Sequence, residues 1–257
     1  MIDIHSHILP EIDDGSNSLS ESIEIIRKAY NSGVTDLVLT PHFILGSSYN
    51  ANNKVKTKLF NSLKKEIKKE KLPINLYLGN EVFIETNILD LIKTGEITTL
   101  NNSKYLLFEL PMHNEFKQLK QVVFELKLNG YIPVLAHPER YSLFKKNPQL
   151  LLELLEQGAL FQCNISSFYG RHGKETKQLF ILMLKHHMIH FISSDTHHIE
   201  DTIYDKLNNL KQDLKKYISE EEIKEILEIN ARKVLENKKI EERELVPFKK
   251  TIFGKWK

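Results

Sequence analysis

Short runs of β-branched and aromatic residues recur along this chain, and each run is followed by a segment whose apolar positions recur at helical spacing. These runs predict seven strands, at residues 2–5, 36–40, 74–79, 105–110, 131–136, 159–164 and 190–194. Strands that alternate with helices pair in parallel and are joined by right-handed crossovers. No Gly-x-Gly-x-x-Gly pattern follows the first strand, so the usual dinucleotide-binding reason for an open sheet is missing. We therefore favour a closed or nearly closed α/β barrel over an open doubly wound sheet.

Two helical segments have distinct signals. Ser18 is a good N-cap for the first helix, and Gly33 is a natural stop. Residues 54–71 hold eight lysines and two glutamates around an apolar stripe that runs from Val55 to Ile67. We interpret this second segment as an amphipathic helix with a solvated lysine face; the alternative is a docking surface for an acidic partner.

The composition is that of one large domain followed by a tail. A chain of 257 residues with 41% hydrophobic and 27% charged residues can bury a full core. We predict a barrel over residues 1–240 and a tail over 241–257 that either docks across the barrel or stays mobile. The formal net charge of +2 argues against bulk attraction to nucleic acid.

Cysteine content and hydropathy bear on the compartment. Cys163 is the single cysteine, so no intramolecular disulfide can form, and no signal segment precedes the first strand. We expect a reduced, cytoplasmic protein. The longest apolar runs fall well short of the roughly 20 residues that span a bilayer, so we expect no direct membrane insertion.

Histidine and carboxylate residues collect at the ends of the predicted strands. His5 and His7 are two residues apart, so in an extended strand they point the same way and can hold one ion between them. In a parallel barrel these ends share the C-terminal rim, and carboxylates gathered there need cations to neutralise them. The sequence therefore predicts a site for two or three metal ions, with the candidate ligands His5, His7, Asp13 or Asp14, His42, Glu81, Glu109, His137, Asp195 and His197.

At these residues the chain resembles the polymerase-and-histidinol-phosphatase (PHP) superfamily, which has a distorted seven-stranded (β/α)7 TIM-like barrel with a trinuclear metal site at its C-terminal rim. Within it, the chain is similar to the bacterial manganese-dependent protein tyrosine phosphatases encoded with capsule and exopolysaccharide genes. The segments that carry this likeness are Asp3-Ile4-His5-Ser6-His7, Asp13-Asp14-Gly15, Ala136-His137-Pro138-Glu139-Arg140-Tyr141 and Ser193-Ser194-Asp195-Thr196-His197. Glu109 stands where several other branches use histidine, which favours the tyrosine phosphatase branch.

The resemblance implies a division of the ligands among three ions. His5, His7 and Asp195 would hold one ion with Glu81. Glu81 would bridge to a second ion, which Glu109 and His137 complete. The third ion would be held by Asp14, His42 and His197; the resemblance, and not the spacing, selects Asp14 over Asp13.

The donor types agree with phosphomonoester chemistry. Imidazole and carboxylate without thiolate suit manganese, iron or zinc, and the resemblance implies manganese. Two ions about 3.5–4 Å apart can lower the pKa of a water for in-line attack on phosphorus. Arg140 is the candidate catalytic residue that binds the phosphate with its planar fork; the alternative is an ion pair with Glu139 or Glu109.

The loop at residues 166–173 follows the sixth predicted strand on the same rim. Its glycines allow a tight turn, and Phe168 or Tyr169 could stack on a substrate ring. Ordinary loop packing is the alternative for both aromatic residues.

The resemblance implies hydrolysis of phosphotyrosine in proteins, with the phosphorylated tail of a bacterial tyrosine kinase that governs polysaccharide synthesis as the partner. Cys163 is followed six residues later by Tyr169, so the arginine of a C-x5-R phosphate loop is missing and any such activity must be metal-based. One alternative is a small-molecule phosphoesterase that acts on histidinol phosphate or a nucleotide. Another is a binding or regulatory subunit that retains metal without turnover.

Overall fold

A computed structural model describes residues 1–241, 245, 246 and 248 of the chain. In this part, the strands β1 to β9 cover Ile2–Asp3, Asp36–Leu39, His42–Phe43, Asn75–Leu78, Glu81–Phe83, Tyr105–Glu109, Ile132–Ala136, Leu160–Asn164 and Phe191–Ser193. The helices α1 to α11 cover Leu19–Asn31, Asn53–Lys69, Ile88–Lys93, Leu119–Leu128, Ser142–Lys146, Gln149–Glu156, Ile165–Phe168, Lys174–Lys185, Leu207–Leu214, Glu220–Lys224 and Asn230–Leu235. Short 3-10 turns lie at Leu100–Asn102, Pro138–Arg140, Ile199–Asp201 and Tyr204–Lys206, and a π-helical turn at Glu225–Ile229 joins α10 to α11.

The strands form two parallel sheets, with the orders β1-β2-β4 and β3-β5-β6-β7-β8-β9. The predicted α/β class with parallel strands is confirmed. The described residues contain nine short strands where seven were predicted, because His42–Phe43 and Glu81–Phe83 form separate strands beyond Pro41 and Asn80. Proline has no N–H for a ladder bond, which accounts for the first break.

Backbone hydrogen bonds connect the segment that follows β1 to the segment that follows β9. The Asp195 N–H donates to the His5 carbonyl at 2.9 Å, and the His7 N–H donates to the Thr196 carbonyl at 2.8 Å. The Thr40 N–H donates to the Ser6 carbonyl at 2.8 Å, next to the end of β2. The two sheets are thereby joined into a nearly closed barrel whose C-terminal rim carries the candidate ligands.

The inward-facing residues change character along each strand. In β6, Tyr105 and Leu107 belong to an apolar cluster inside the barrel, whereas Leu106 and Phe108 belong to the outer core against the helices. Since side chains alternate along a strand, Glu109 follows Leu107 on the inner face. The barrel is therefore apolar inside its lower part and polar at the rim, and the side chains of α11 help to cover the lower end.

The helix signals are largely confirmed. The Ser18 hydroxyl accepts the Glu21 N–H at 3.1 Å, and Gly33 adopts a left-handed φ of 90°. In α2, however, Val55 is exposed and Lys56 is fully buried, with its ammonium group against the Asn80 side-chain carbonyl. The buried face of α2 thus includes a lysine. Neither the predicted solvated lysine face nor the predicted apolar stripe accounts for the burial of Lys56.

Part of the predicted tail is described. The ring nitrogen Nδ1 of His186 lies 2.6 Å from the Val246 carbonyl, and the His186 and Phe248 rings are 4.7 Å apart. Tail residues 242–244, 247 and 249–257 lie outside the described residues. None of the helices in the described part of the chain combines the length and the apolar character that crossing a bilayer requires.

Candidate metal centre at the barrel rim

The structure brings all nine residues of the predicted ligand set together at the rim. Among the described residues, four groups of side chains have candidate ligand atoms within 4.8 Å of one another. These groups are His7 with Asp14, His42 and His197; His5 with His7 and Glu81; His5 with His137 and Asp195; and His42 with Glu81 and Glu109. Because the groups share members, they form one continuous cluster of imidazoles and carboxylates.

Glu81 lies at the centre of this cluster. Its Oε2 atom is 3.3 Å from the Nε2 atoms of both His5 and His7, and 3.1 Å from Nδ1 of His42. Its Oε1 atom is 2.9 Å from Nε2 of His137. One buried carboxylate therefore touches four imidazoles from three separate segments of the chain, which is the position that a bridging ligand requires.

The spacing of the donor atoms fits bound divalent ions. The Nε2 atoms of His5 and His7 are 3.1 Å apart, and Oδ1 of Asp195 lies 3.3 and 3.4 Å from them. Donor atoms that bind the same ion, each at about 2.0–2.2 Å from it, lie about this far from one another. In addition, His42 Nδ1 and Glu81 Oε2 are buried without a hydrogen bond among the described residues, and an ion would satisfy both atoms.

Charge coupling inside the cluster shifts the protonation equilibria. Burial by itself lowers the pKa of His5, but Glu81 and Asp195 raise it to about 9. Burial raises the pKa of Glu81, but the charges of His5 and His42 hold it well below its ordinary range. Without metal, protonated histidines therefore compensate the carboxylates, and metal binding must displace those protons.

Asp13 and Asp14 lie in different surroundings although they are adjacent. The Asp13 carboxylate is buried, and its Oδ2 accepts hydrogen bonds from His7 Nδ1 at 2.8 Å and from the His42 N–H at 2.9 Å. The Asp14 side chain is half exposed, with Oδ1 3.5 Å from His42 Nε2 and 3.8 Å from His197 Nε2. Asp13 thus holds the ring of a candidate ligand from behind, whereas Asp14 faces the cluster.

Gly15 allows this loop to fold back on His7. A Cβ atom at Gly15 would lie 2.0 Å from the His7 carbonyl oxygen, and the Ser16 N–H donates to the same oxygen at 3.0 Å. Only glycine fits this close approach of two backbone segments. The Asp13-Asp14-Gly15 motif is therefore explained by three distinct roles in one turn.

Two candidate ligands adopt left-handed backbone conformations, with φ of 36° for His137 and 51° for Asp195. Such conformations are unfavourable for residues with a side chain, and they persist where the surrounding structure requires them. His137 directly follows the end of β7, and Asp195 lies two residues beyond the end of β9, so the left-handed turn at each residue directs its side chain towards the cluster. Neither conformation is encoded by a glycine, and for that reason the sequence pattern did not indicate it.

Arg140 lies at the edge of the cluster. Its Nη1 donates to Oδ2 of Asp195 at 3.0 Å, and its side chain is 25% exposed. An ion pair of Arg140 with Glu139 or Glu109 was the alternative suggested by the sequence. The structure shows Arg140 paired with Asp195 instead. Glu139 is fully buried, and its Oε1 accepts the Asn164 N–H at 2.9 Å.

Phe168 and Tyr169 lie on the rim side of β8, but both are engaged in packing. The Phe168 ring is 5% exposed and lies 5.4 Å from the Phe180 ring and 6.1 Å from the Tyr217 ring. The Tyr169 hydroxyl donates to Oδ2 of Asp213 at 3.1 Å. These contacts favour the packing interpretation over stacking on a substrate.

Cys163 is placed away from any nucleophilic role. The residue is fully buried in the outer core, and burial together with the nearby Glu139 carboxylate raises the pKa of its thiol well above the ordinary value. A thiolate is the reactive form of cysteine, so this side chain is not an activated nucleophile.

Gln162 and Asn164 are two buried amides of β8 that contact the cluster, and they are not among the residues predicted from the sequence pattern. Gln162 Oε1 is 2.7 Å from His5 Nδ1, and Asn164 Nδ2 is 2.6 Å from Asp195 Oδ2. The available signal was a pair of polar residues two positions apart in a strand that is otherwise apolar. Such a pair faces one side of the strand, here the barrel interior.

Comparison with known proteins first defines the class of fold. The solved histidinol phosphate phosphatase of Lactococcus lactis aligns with a TM-score of 0.54 at 16% identity, over 83% of this chain and 92% of that one. At this identity the likeness shows the fold alone, which is a parallel α/β barrel.

The family follows from closer relatives. Residues 1–236 match the capsular polysaccharide synthesis family CpsB/CapC, and the chain belongs to this family. CapC of Staphylococcus aureus is 40% identical over 240 residues, which is 93% of each chain. The tyrosine-protein phosphatase YwqE of Bacillus subtilis is 36% identical over 200 residues, which is 78% of each chain.

A solved relative has nearly the same structure. Crystal structures of YwqE from Bacillus subtilis and CpsB from Streptococcus pneumoniae are described as those of metal-dependent tyrosine phosphatases. One of these chains aligns with a TM-score of 0.86 at 32% identity, covering 97% of this chain and 100% of that one.

Proposed function

We propose that this protein is a manganese-dependent protein tyrosine phosphatase. The observation that carries the proposal is the rim cluster, in which eight imidazole and carboxylate side chains gather around the buried carboxylate of Glu81 beside an accessible arginine. Membership of the CpsB/CapC family and the likeness to metal-dependent tyrosine phosphatases support the phosphotyrosine substrate.

The proposed ligands divide among three ions as the family resemblance implies. His5, His7, Glu81 and Asp195 would hold the first ion, and the four donor atoms lie 3.1–3.4 Å apart where they face one another. Glu109 and His137 would complete a second ion with Glu81. Asp14, His42 and His197 would hold the third. Mixed nitrogen and oxygen donors without thiolate suit manganese, iron or zinc, and manganese is proposed among them because the family resemblance implies it.

Bound divalent ions would supply activation of water and neutralisation of the phosphoryl charge. The protein's own part is to bind and orient the ester. Arg140 presents a planar guanidinium at the edge of the cluster, where it can donate two parallel hydrogen bonds to phosphoryl oxygens. The tie to Asp195 fixes the position of this guanidinium before a substrate arrives.

The leaving group makes few demands on the protein. A tyrosine phenolate has a conjugate acid with a pKa of about 10, far lower than that of a serine alkoxide, so it can leave without a strong general acid. We assign no general acid. This chemistry favours phosphotyrosine over phosphoserine at a site built from metal ligands and one arginine.

The proposed substrate is a phosphotyrosine-bearing protein, the tail of a bacterial tyrosine kinase that governs capsule or exopolysaccharide synthesis, in the cytoplasm. The relatives that support it are those of the capsular polysaccharide synthesis family, among them the tyrosine-protein phosphatase CpsB of Streptococcus agalactiae. A small-molecule phosphoesterase on the same site is the second candidate, favoured by the fold shared with histidinol phosphate phosphatase.

Substrate selectivity decides between these candidates. The test compares kcat/KM of the manganese-loaded protein for a phosphotyrosyl peptide, the same peptide with phosphoserine, histidinol phosphate and a nucleoside monophosphate. We expect the phosphotyrosyl peptide to be preferred by at least about 100-fold, a difference of about 2.7 kcal/mol in transition-state stabilisation. A preference for histidinol phosphate or the nucleotide would retain the metal centre and overturn the protein substrate.

A further inference from the structure

The strand β8 lies between β7 and β9 in the second sheet. A candidate ligand follows each of these two neighbours, but none of the nine candidate ligands comes from β8. Its inner face instead presents two amide side chains, Gln162 and Asn164, both fully buried. Buried amides are costly unless they are hydrogen-bonded, so their partners indicate why they are there.

These partners connect two candidate ligands of the same ion. His5 Nδ1 lies 2.7 Å from Gln162 Oε1, and Gln162 Nε2 donates to Asn164 Oδ1 at 2.9 Å. Asn164 Nδ2 donates in turn to Asp195 Oδ2 at 2.6 Å. The result is an unbroken amide chain of three hydrogen bonds from an imidazole on one side of the ion to a carboxylate on the other.

The carboxylate end fixes the direction of the whole amide chain. An ionised carboxylate only accepts hydrogen bonds, so Asn164 must turn its NH2 group towards Asp195. Its carbonyl then faces Gln162, which must donate from Nε2 and turn its own carbonyl towards His5. That carbonyl needs a hydrogen on Nδ1, and this leaves the lone pair of the neutral imidazole on Nε2, the atom that faces the cluster.

We propose that Gln162 and Asn164 are positioning residues that couple Asp195 to His5 and hold His5 in the tautomer that binds metal through Nε2. The inference rests on the proposed metal-dependent function, and it adds a role for two residues that supply no metal ligand. Partners of this kind behind metal-binding histidines commonly change metal affinity by about 10–100-fold when removed.

The backbone of β8 strengthens this arrangement. The Gln162 carbonyl accepts the His137 N–H at 2.7 Å, and the Asn164 N–H donates to Glu139 Oε1 at 2.9 Å. The strand is thereby bound to the turn that carries a third candidate ligand. Movement of the two amides relative to the cluster is restricted from both sides.

The experiment measures manganese affinity, independently of phosphatase activity, from the paramagnetic resonance signal of free Mn²⁺. The variants are Gln162→Leu, Asn164→Leu and the double variant, in which leucine fills the site but can neither donate nor accept a hydrogen bond. Each single change should weaken manganese binding by about 10–100-fold. Because one break interrupts the whole amide chain, the double variant should bind about as weakly as the weaker single variant.

Phe161→Leu is the matched control, since Phe161 is buried in the same strand but belongs to the outer core. It should lower the free energy of unfolding of the metal-free protein and leave manganese affinity unchanged. Wild-type affinity in both amide variants would overturn the proposal. Losses that multiply in the double variant would also overturn it, because they would show two independent roles.

A second measurement covers the case in which the leucine variants do not fold. Long-range proton–nitrogen NMR spectra of the zinc-loaded wild-type protein report which ring nitrogen of His5 carries the proton. We expect the proton on Nδ1 and metal on Nε2; the opposite assignment would overturn the proposal. Failure of the wild-type protein to bind any divalent ion would instead contradict the proposed function itself, so the two failures are distinguishable.

Discussion

Arg140 Nη1 lies 3.0 Å from Oδ2 of Asp195, while the other carboxylate oxygen of Asp195 faces His5 and His7. One carboxylate therefore connects a partly exposed guanidinium with the buried part of the metal centre. This relationship makes Arg140 a separable probe, because it touches the cluster only through the outer oxygen of a candidate ligand.

Replacing Arg140 by lysine should separate phosphate binding from metal binding. Lysine keeps the charge but loses the planar fork, so we expect kcat/KM for a phosphotyrosyl peptide to fall by about 10–100-fold. The manganese content, measured by elemental analysis, should be unchanged. Arg171→Lys is the control, because Arg171 is exposed and pairs with Asp201 outside the cluster. Loss of metal in Arg140→Lys would make Arg140 part of the structural support of the centre.

Replacing Glu81 by alanine should abolish metal binding and activity together. Glu81 contacts four candidate ligands, so its removal leaves their donor atoms without the central carboxylate. We expect less than one tightly bound ion per chain and a loss of activity of at least about 1000-fold. Glu85→Ala, on the segment that follows β5, should behave as the wild type. Full metal content in Glu81→Ala would contradict the bridging position.

The adjacent residues Asp13 and Asp14 should respond differently to the same change to asparagine. Both carboxylate oxygens of Asp13 accept hydrogen bonds, one from His7 and the His42 N–H and the other from the Gly15 N–H. In Asp13→Asn, an NH2 group replaces one of these oxygens and faces a donor in either orientation, so both stability and metal affinity should fall. In Asp14→Asn, the affinity for one metal ion should fall, but stability should change little because the side chain is half exposed. Chemical denaturation of the metal-free proteins and metal titration measure the two quantities. Equal loss of stability in both variants would contradict the distinction.

The contribution of His5 to the stability of the metal-free protein should fall as pH rises from about 6.5 to 9. The pKa of His5 is about 9 in the folded protein and about 6.5 in the unfolded chain, so its stabilising contribution is complete below pH 6.5 and is lost as pH rises through 9. Lys56 acts oppositely, because burial lowers its pKa to about 7 and the unfolded chain then binds more protons up to about pH 10.5.

The variant Lys56→Met therefore isolates the histidine contribution. It should be more stable than the wild type at pH 6.5 by about 1–3 kcal/mol, and this advantage should shrink by pH 9. The free energy of unfolding of Lys56→Met should fall as pH rises, whereas in the wild type Lys56 offsets much of this fall. Chemical denaturation at pH 6.5, 7.75 and 9 checks both slopes; a rise in Lys56→Met would contradict the protonation of the cluster.

The parts of this molecule that follow a simple repeat could be predicted from the sequence. The alternation of strands and helices gave the fold class, and the position of Glu109 two residues beyond Leu107 follows from strand alternation. Contacts across the barrel could not be predicted in this way. The pairing of Arg140 with Asp195 depends on a left-handed turn at Asp195, which residue type does not indicate.

The same limit applies to residues whose neighbours come from distant segments. The ammonium group of Lys56 is buried where it donates to the side-chain carbonyl of Asn80. The residues that flank Lys56 and Asn80 in the sequence do not indicate this contact. Gln162 and Asn164 become meaningful only when His5 and Asp195 are placed on either side of them. The exposed lysines of α2 remain interpreted as a solvated face.

Hydrolysis of phosphotyrosine by this protein should depend on the metal centre. The most direct measurement is phosphate release from a phosphotyrosyl peptide by chelator-stripped protein, before and after manganese is restored, with a phosphoserine peptide alongside. We expect negligible release by the stripped protein and recovery with manganese for the phosphotyrosyl peptide. Activity that survives exhaustive chelation, or manganese binding without phosphate release, would contradict metal-dependent hydrolysis of phosphotyrosine.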